Sequence, residues 1–256
     1  MRTLLFLLLL PALALAKEPS IIAEDDASTS AYSSGWKSES GGSGFGGWAF
    51  QSKTSGDKSH AGFFIATTSN NADLNGVAIK DKAFGLYANG TSFEGAAAFR
   101  PLNKALHVGE TFSFLFEHGR IEKKFDNDDP GTGSMGIALR SGNDSNSIED
   151  YNKNARFEFG FYEGQTNYQI YDGGEQHDTG VAFTDAGVSV SLTLVDVDTY
   201  DLEITTLADK KTTKLAGRKL GGTASESLES FCIFDRDGEK SDAFFNGFQV
   251  TKGTGQ

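Results

Sequence analysis

The sequence predicts an all-β chain folded as a two-sheet antiparallel β-sandwich or jelly roll, and three observations carry that expectation. Apolar residues recur with period two rather than 3.6, the period of side chains pointing alternately to the two faces of a strand. Clusters of Gly, Asn, Asp and Ser break the alternating runs at short intervals, as turns do. Glycine (31 residues) and phenylalanine (21) are abundant and proline is scarce (4), which suits paired strands around an aromatic core.

The chain opens with MRTLLFLLLLPALALA. Arg2, an apolar run from Leu4 to Leu15, and the small-x-small pattern Ala14-Leu15-Ala16 predict a signal peptide over residues 1–16, cut after Ala16, and a secreted or periplasmic destination. The apolar run is too short to span a bilayer, and no other segment is long enough, so no membrane insertion is expected. Residues 17–42 are acidic and rich in Ser and Gly, and read as a flexible leader with an edge strand near Trp36. A single β-sandwich domain is expected over 43–252, with 253–256 as a tail.

Within that domain the runs 45–51, 60–67, 83–88, 94–100, 111–117, 134–140, 155–163, 165–171, 187–195, 199–205, 212–218, 228–234 and 243–250 read as strands. Phe112, Phe114 and Phe116 share one face, as do Met135, Ile137 and Leu139. Val188, Val190, Leu192 and Leu194 oppose Ser189, Ser191 and Thr193, and Tyr200, Leu202 and Ile204 oppose Asp201 and Glu203. Many short antiparallel strands at this length imply two packed sheets.

The formal net charge is −12, and it becomes −13 once Arg2 leaves with the signal peptide. Such a chain repels nucleic acid and anionic lipid. One cysteine, Cys232, cannot form an intrachain disulfide, and its FCIF setting marks it as a buried small hydrophobe. The four histidines are scattered without metal-ligand spacing, and no nucleotide-binding or serine-hydrolase motif is present. Two N-glycosylation sequons begin at Asn89 and Asn143.

The stretches 83-AFGLYANG-90, 108-VGETFSF-114, 134-SMGIALRS-141, 179-TGVAFTDAGVSVSLTL-194 and 241-SDAFFNGFQV-250 resemble the concanavalin A-like lectin/glucanase superfamily, in particular jelly-roll modules of secreted bacterial proteins. The resemblance covers roughly residues 43–252. It implies two curved sheets with a groove, a bias towards polysaccharide or glycan ligands, and a habit of binding structural calcium.

The candidate binding face comes from 155-ARFEFGFYE-163 and 165-QTNYQIY-171. If Gly164-Gln165 is a two-residue hairpin loop, Phe161 faces Tyr168 and Phe159 faces Ile170 on the core side. The other face then pairs Tyr162 with Asn167, Gly160 with Gln169, and Glu158 with Tyr171. Flat rings for the C–H faces of a sugar, and amides and a carboxylate for its hydroxyls, are the chemistry glycan binding uses. A non-catalytic lectin-like protein needs no cofactor here beyond room for a structural calcium ion.

Two other functional classes stay open. Glu158-x-Gly160-x-x-Glu163 has the spacing of the E-x-D-x-x-E signature of the resembled β-glucanases. The resemblance would make Glu158 the nucleophile and Glu163 the acid/base of a hydrolase or lyase, with Gly160 where the central Asp should be. A retaining mechanism needs carboxyls about 5–5.5 Å apart, which requires a bulge to bring both onto one face. The third class is a structural or adhesion matrix protein. For calcium, Asp126, Asp128 and Asp129 in 126-DNDDPGTG-133 offer hard oxygen ligands. The charged stretch 235-DRDGEKSD-242 instead reads as a hairpin turning on Asp237-Gly238, with Arg236 opposite Glu239, Asp235 opposite Lys240, Phe231 opposite Phe244 and Cys232 opposite Ala243.

Overall fold

The alternating runs become strands almost where the pattern places them. A computed structural model describes residues 18–71, 74, 76–90, 92–121, 133–237 and 241–253. Through them run β1 (Ser20–Asp25), β2 (Ala49–Thr54), β3 (His60–Thr67), β4 (Lys82–Asn89), β5 (Glu94–Leu106), β6 (Glu110–His118), β7 (Ser134–Arg140) and β8 (Ala155–Tyr162). The second half adds β9 (Asn167–Asp172), β10 (Glu175–Ala182), β11 (Val188–Asp196), β12 (Thr199–Thr206), β13 (Thr212–Lys219), β14 (Leu228–Arg236) and β15 (Asp242–Lys252). One sheet has the order β13-β12-β11-β6-β15-β4-β3, with β1 also paired to β15. The other has the order β10-β9-β8-β7-β14-β5-β2. Pairing is antiparallel throughout, and the two sheets share one core. This is the two-sheet antiparallel sandwich that the sequence predicts.

The predicted parity holds as well. Phe112, Phe114 and Phe116 of β6, Met135, Ile137 and Leu139 of β7, and the apolar sets of β11 and β12 all point inward, none more than 4% exposed. Each large side chain so buried contributes about 1.5–3 kcal/mol. The second sheet is covered on its outer face too. Cys232 and Phe234 of β14 and Ala97 and Phe99 of β5 pack under Ile148 and Tyr151, which the loop after β7 lays across them. Burial pushes the Cys232 thiol far up, so it stays protonated and inert.

Segment 17–42 is not a loose leader. Its first residues form β1, and the edge pairing lies there rather than near Trp36. Tyr32 and Trp36 are buried, with Trp36 edge-on to Trp48, Phe50 and Phe63. The cause is a polar knot that composition does not advertise. Arg100 of β5, with no exposed surface, pairs with Asp25 and donates to the Gly46 and Gly41 carbonyls at 3.0 and 2.9 Å. Its guanidinium stacks on Phe45 and Trp48 at 4.9 and 4.7 Å. Tyr32 donates to Asp25 and accepts from Trp48 Nε1 at 3.1 Å. Burial above all lifts the Tyr32 phenol to about 12.

A second polar seam lies in β15. Its residues Asp242–Phe245 pair with β4, and Phe248–Lys252 pair on the same side with β1. Fully buried Asn246 stitches the junction, accepting from Ala27 N at 3.0 Å and donating to the Val77 and Lys82 carbonyls at 2.9 and 2.7 Å.

Two further departures concern pairing. Strand β10 has no apolar alternation because it is an edge strand burying only Thr179 and Val181. The hairpin expected at Asp237-Gly238 does not form. β14 and β15 belong to different sheets, so Phe231 lies opposite Arg100 and Leu139, and Cys232 opposite Phe99 and Ala138. The physical reason is that FCIF is apolar on both faces and takes the centre of a covered sheet, which a strand at a hairpin edge could not satisfy. Asp237 does adopt the positive φ (+48°) that its turn signal implies, while Gly238, Glu239 and Lys240 lie outside the described residues. Asp235 is fully buried, and burial, with the fields of Asp242 and Asp237, holds its carboxyl well above the usual range. The signal peptide 1–16 and Asp126, Asp128 and Asp129 also lie outside the described residues.

The knot around Arg100 is testable. Asp25→Ala leaves a buried guanidinium without its counter-ion, and the expected loss is about 3–5 kcal/mol. A lower urea midpoint with an unchanged m-value would report it; an unchanged midpoint would show that β1 is dispensable.

Candidate functional site

The site begins with a register. β8 and β9 pair Glu158 with Tyr171, Phe159 with Ile170, and Gly160 with Gln169, the pairing that a loop at Gly164-Gln165 predicts. Phe157, Phe159 and Phe161 therefore enter the core, and Glu158 and Tyr162 face outward beside Tyr171. Where the cover formed by Ile148 and Tyr151 ends, the outer face opens into a cleft of about 520 Å³. Its lining includes Glu158, Tyr162, Tyr171, Tyr151, Glu163 and Arg236.

Glu158 is 4% exposed at the edge of this cover. Its Oε1 accepts hydrogen bonds from the hydroxyl of Tyr151, at 3.1 Å, and from that of Tyr162. Burial raises its pKa from the usual 4.5 to about 7, against the opposing pull of Tyr162, Tyr151 and Arg236. Both phenols are in turn pushed well above their usual value, by burial and then by the Glu158 charge. Tyr162 and Tyr171 meet edge to face with centroids 5.2 Å apart, and Tyr171 remains 39% exposed. An exposed ring beside a half-protonated carboxyl can stack on a sugar face and exchange hydrogen bonds with hydroxyls.

Of the sequence candidates, Glu158, Tyr162 and Tyr171 come together, and Asn167 and Gln169 do not join them. Asn167 donates to both oxygens of Asp178 at 3.0 Å, and Gln169 donates to the Asn167 carbonyl at 3.0 Å. Their polar atoms are engaged along β10, the strand that the sequence does not reveal. Glu163 lines the same cleft as Glu158, with its Oε2 accepting from Gly133 N at 3.2 Å. Gly160, between them, stands opposite Gly136 of β7. A Cβ there would lie 2.5 Å from the Met135 carbonyl oxygen, so the backbones approach too closely for the aspartate of the glucanase pattern.

Three residues of the site escape sequence reading. Tyr151 sits in an irregular loop with no motif, and Arg236 looks like half of a hairpin ion pair. Asp172 closes the far end of the cleft, where it accepts from Tyr200 at 2.6 Å and from Arg218 at 2.6 and 2.8 Å. That bond set ties β9 of one sheet to β12 and β13 of the other. Among the described residues, no group of three or more His, Cys, Asp or Glu side chains is arranged to hold a metal ion.

No protein-family model matches the chain, and no curated protein matches it. Solved structures do. A carbohydrate esterase from Shiga toxin-encoding bacteriophage phi24B is 10% identical with a TM-score of 0.48, over 93% of this chain and 100% of its own. The potassium-bound carbohydrate recognition domain of Emp46p is 12% identical with a TM-score of 0.44, over 75% and 89%. A legume lectin-like domain from Entamoeba histolytica is 10% identical with a TM-score of 0.45, over 75% and 90%. Likeness at this level transfers neither ligand nor chemistry, and the site rests on its own geometry.

Two outcomes follow from that geometry. The native state keeps the Glu158 proton between pH 4.5 and about 7, where the unfolded chain has lost it. Stability therefore falls as pH rises through that window, by about 3 kcal/mol, and Glu158→Gln flattens the slope in urea titrations. Gly160→Asp, which would restore the glucanase spacing, forces β7 and β8 apart and lowers stability by about 1–3 kcal/mol without creating turnover. A stable, active Gly160→Asp protein would refute the close-approach account.

Proposed function

We propose that the protein is an exported, lectin-like glycan-binding module whose ligand enters the cleft over Glu158. The observation that carries this reading is the pair Tyr162 and Tyr171, held edge to face beside a buried carboxyl in an open cleft. Tyr171 supplies the accessible ring for stacking. Glu158, fixed by two phenols, supplies a hydrogen-bonding anchor that does not have to be ordered when ligand arrives. Asn167 and Gln169, proposed as contacts from sequence alone, have no part in this version of the site.

A second reading, hydrolase or lyase, is favoured by one observation: Glu158 holds its proton up to about pH 7 in a cleft shared with Glu163. The blocked position at Gly160 counts against the glucanase arrangement. The two readings part on one variant. Glu158→Gln abolishes release of reducing ends if the protein is an enzyme, and leaves retention on the glycan mostly intact if it is a binder, since the amide can still hydrogen-bond there.

The test of the binding reading is retention on immobilised glycans, neutral and acidic. Tyr171→Ala should weaken retention about tenfold, some 1.4 kcal/mol, with no change in the unfolding midpoint. No retention of the native protein on any glycan would remove this reading and leave a structural role for the sandwich.

A further inference from the structure

Arg236 is the one cation of the cleft wall whose charge the described residues do not pair. The other, Arg156, is fully engaged: it pairs with Asp198 at 2.5 Å and donates to the carbonyls of Gly221 and Glu226. The guanidinium of Arg236 instead lies over the rings of Tyr151 and Phe93, at 5.5 and 5.7 Å. Its Nε is out of reach of water and without a hydrogen-bond partner, and no carboxylate among the described residues forms an ion pair with it. Two aromatic faces fix its position but neutralise little of its charge. A partly exposed guanidinium held in place on a cleft wall is suited to charge-assisted capture of a planar or tetrahedral anion.

We infer that the cleft selects sugars bearing an anionic group, a uronic-acid carboxylate or a sulfate ester, for which Arg236 is the counter-ion. This rests on the glycan-binding reading and narrows it. The chain's charge of −12 repels polyanions at long range. Recognition is thus of a single anionic unit at the floor of the cleft rather than of a polyelectrolyte along the surface. The titratable and charged groups facing Glu158 are Tyr162 on β8, Tyr171 on β9, Tyr151 on the covering loop, and Arg236 and the inert thiol of Cys232 on β14. Glu158 is therefore a competitor for the Arg236 charge. When Glu158 is ionised it partly satisfies Arg236 and repels an incoming anion, and when protonated it does neither. Anion binding and proton uptake by Glu158 are linked, so affinity rises as pH falls through about 7.

The experiment is calorimetry of the full-length folded protein with three tetrasaccharides of one linkage: a neutral hexose, its uronic acid and its sulfate ester. The uronate or the sulfate should bind at least about tenfold more tightly than the neutral sugar, the size of a charge-assisted hydrogen bond. Which of the two wins identifies the source of the anion. Arg236→Gln should remove that preference, so that the anionic and neutral sugars bind alike. Glu158→Gln, which keeps the cation and mimics the protonated carboxyl, should keep the preference and abolish its pH dependence between pH 6 and 8, roughly one unit either side of the carboxyl's midpoint. Equal or better binding of the neutral sugar overturns the inference alone. A preference that survives Arg236→Gln in a folded protein also overturns it. No binding of any of the three overturns the glycan-binding reading together with it.

Discussion

The seven-stranded sheet is buried on both faces at its centre, and the rest of the molecule follows from that constraint. On the inner face lie Phe231, Ile233, Met135 and Ile137; on the outer lie Cys232, Phe234, Ala97 and Phe99, roofed by Ile148 and Tyr151. The ring of Tyr151 sits 4.2 Å from that of Phe234. Strands in such a setting carry near-continuous apolar sequence, and only the middle of a sheet can accept them. β14 therefore cannot turn back on itself as a hairpin, and the chain crosses to the opposite sheet to form β15.

The roof also makes the site. Where it covers Glu158, water is excluded and the carboxyl is pushed towards neutrality. Where it stops, Tyr171 and Arg236 line the cleft. Tyr151 serves both roles, packing on the apolar face with its ring and donating to Glu158 with its hydroxyl. Electrostatics and packing at this place are one arrangement seen from two sides.

Buried polar groups elsewhere secure the frame. Arg100 and Asp25 tie β1 and the segment after it to β5, and Asn246 closes the seam where β4 gives way to β1. Asp172, with Tyr200 and Arg218, clamps the two sheets beside the cleft. His118 packs between Phe116 and Phe161, and burial lowers it to about 4, so it stays neutral in the core. The Arg100, Asn246 and Asp172 sets find partners distant in sequence, whereas His118 bonds the adjacent Gly119 carbonyl.

The sequence by itself determined the strand content, the inward parity of β6, β7, β11 and β12, and the register of β8 on β9. These are local properties, set by a two-residue period and a two-residue loop. It also brought Glu158, Tyr162 and Tyr171 to notice, because they share one face of one hairpin. Only the tertiary structure decided that Asn167 turns to Asp178 of β10 and Gln169 to the Asn167 carbonyl, that residues 20–25 close an edge, and that Arg236 lines the cleft over Glu158. Those choices depend on which strand fills a covered centre and which polar partner reaches a buried group across 75 residues of chain, as Asp25 reaches Arg100. A local pattern cannot encode them, because the same Asp-Gly turn is compatible with a hairpin and with a crossing between sheets; burial of the strands on either side makes the choice.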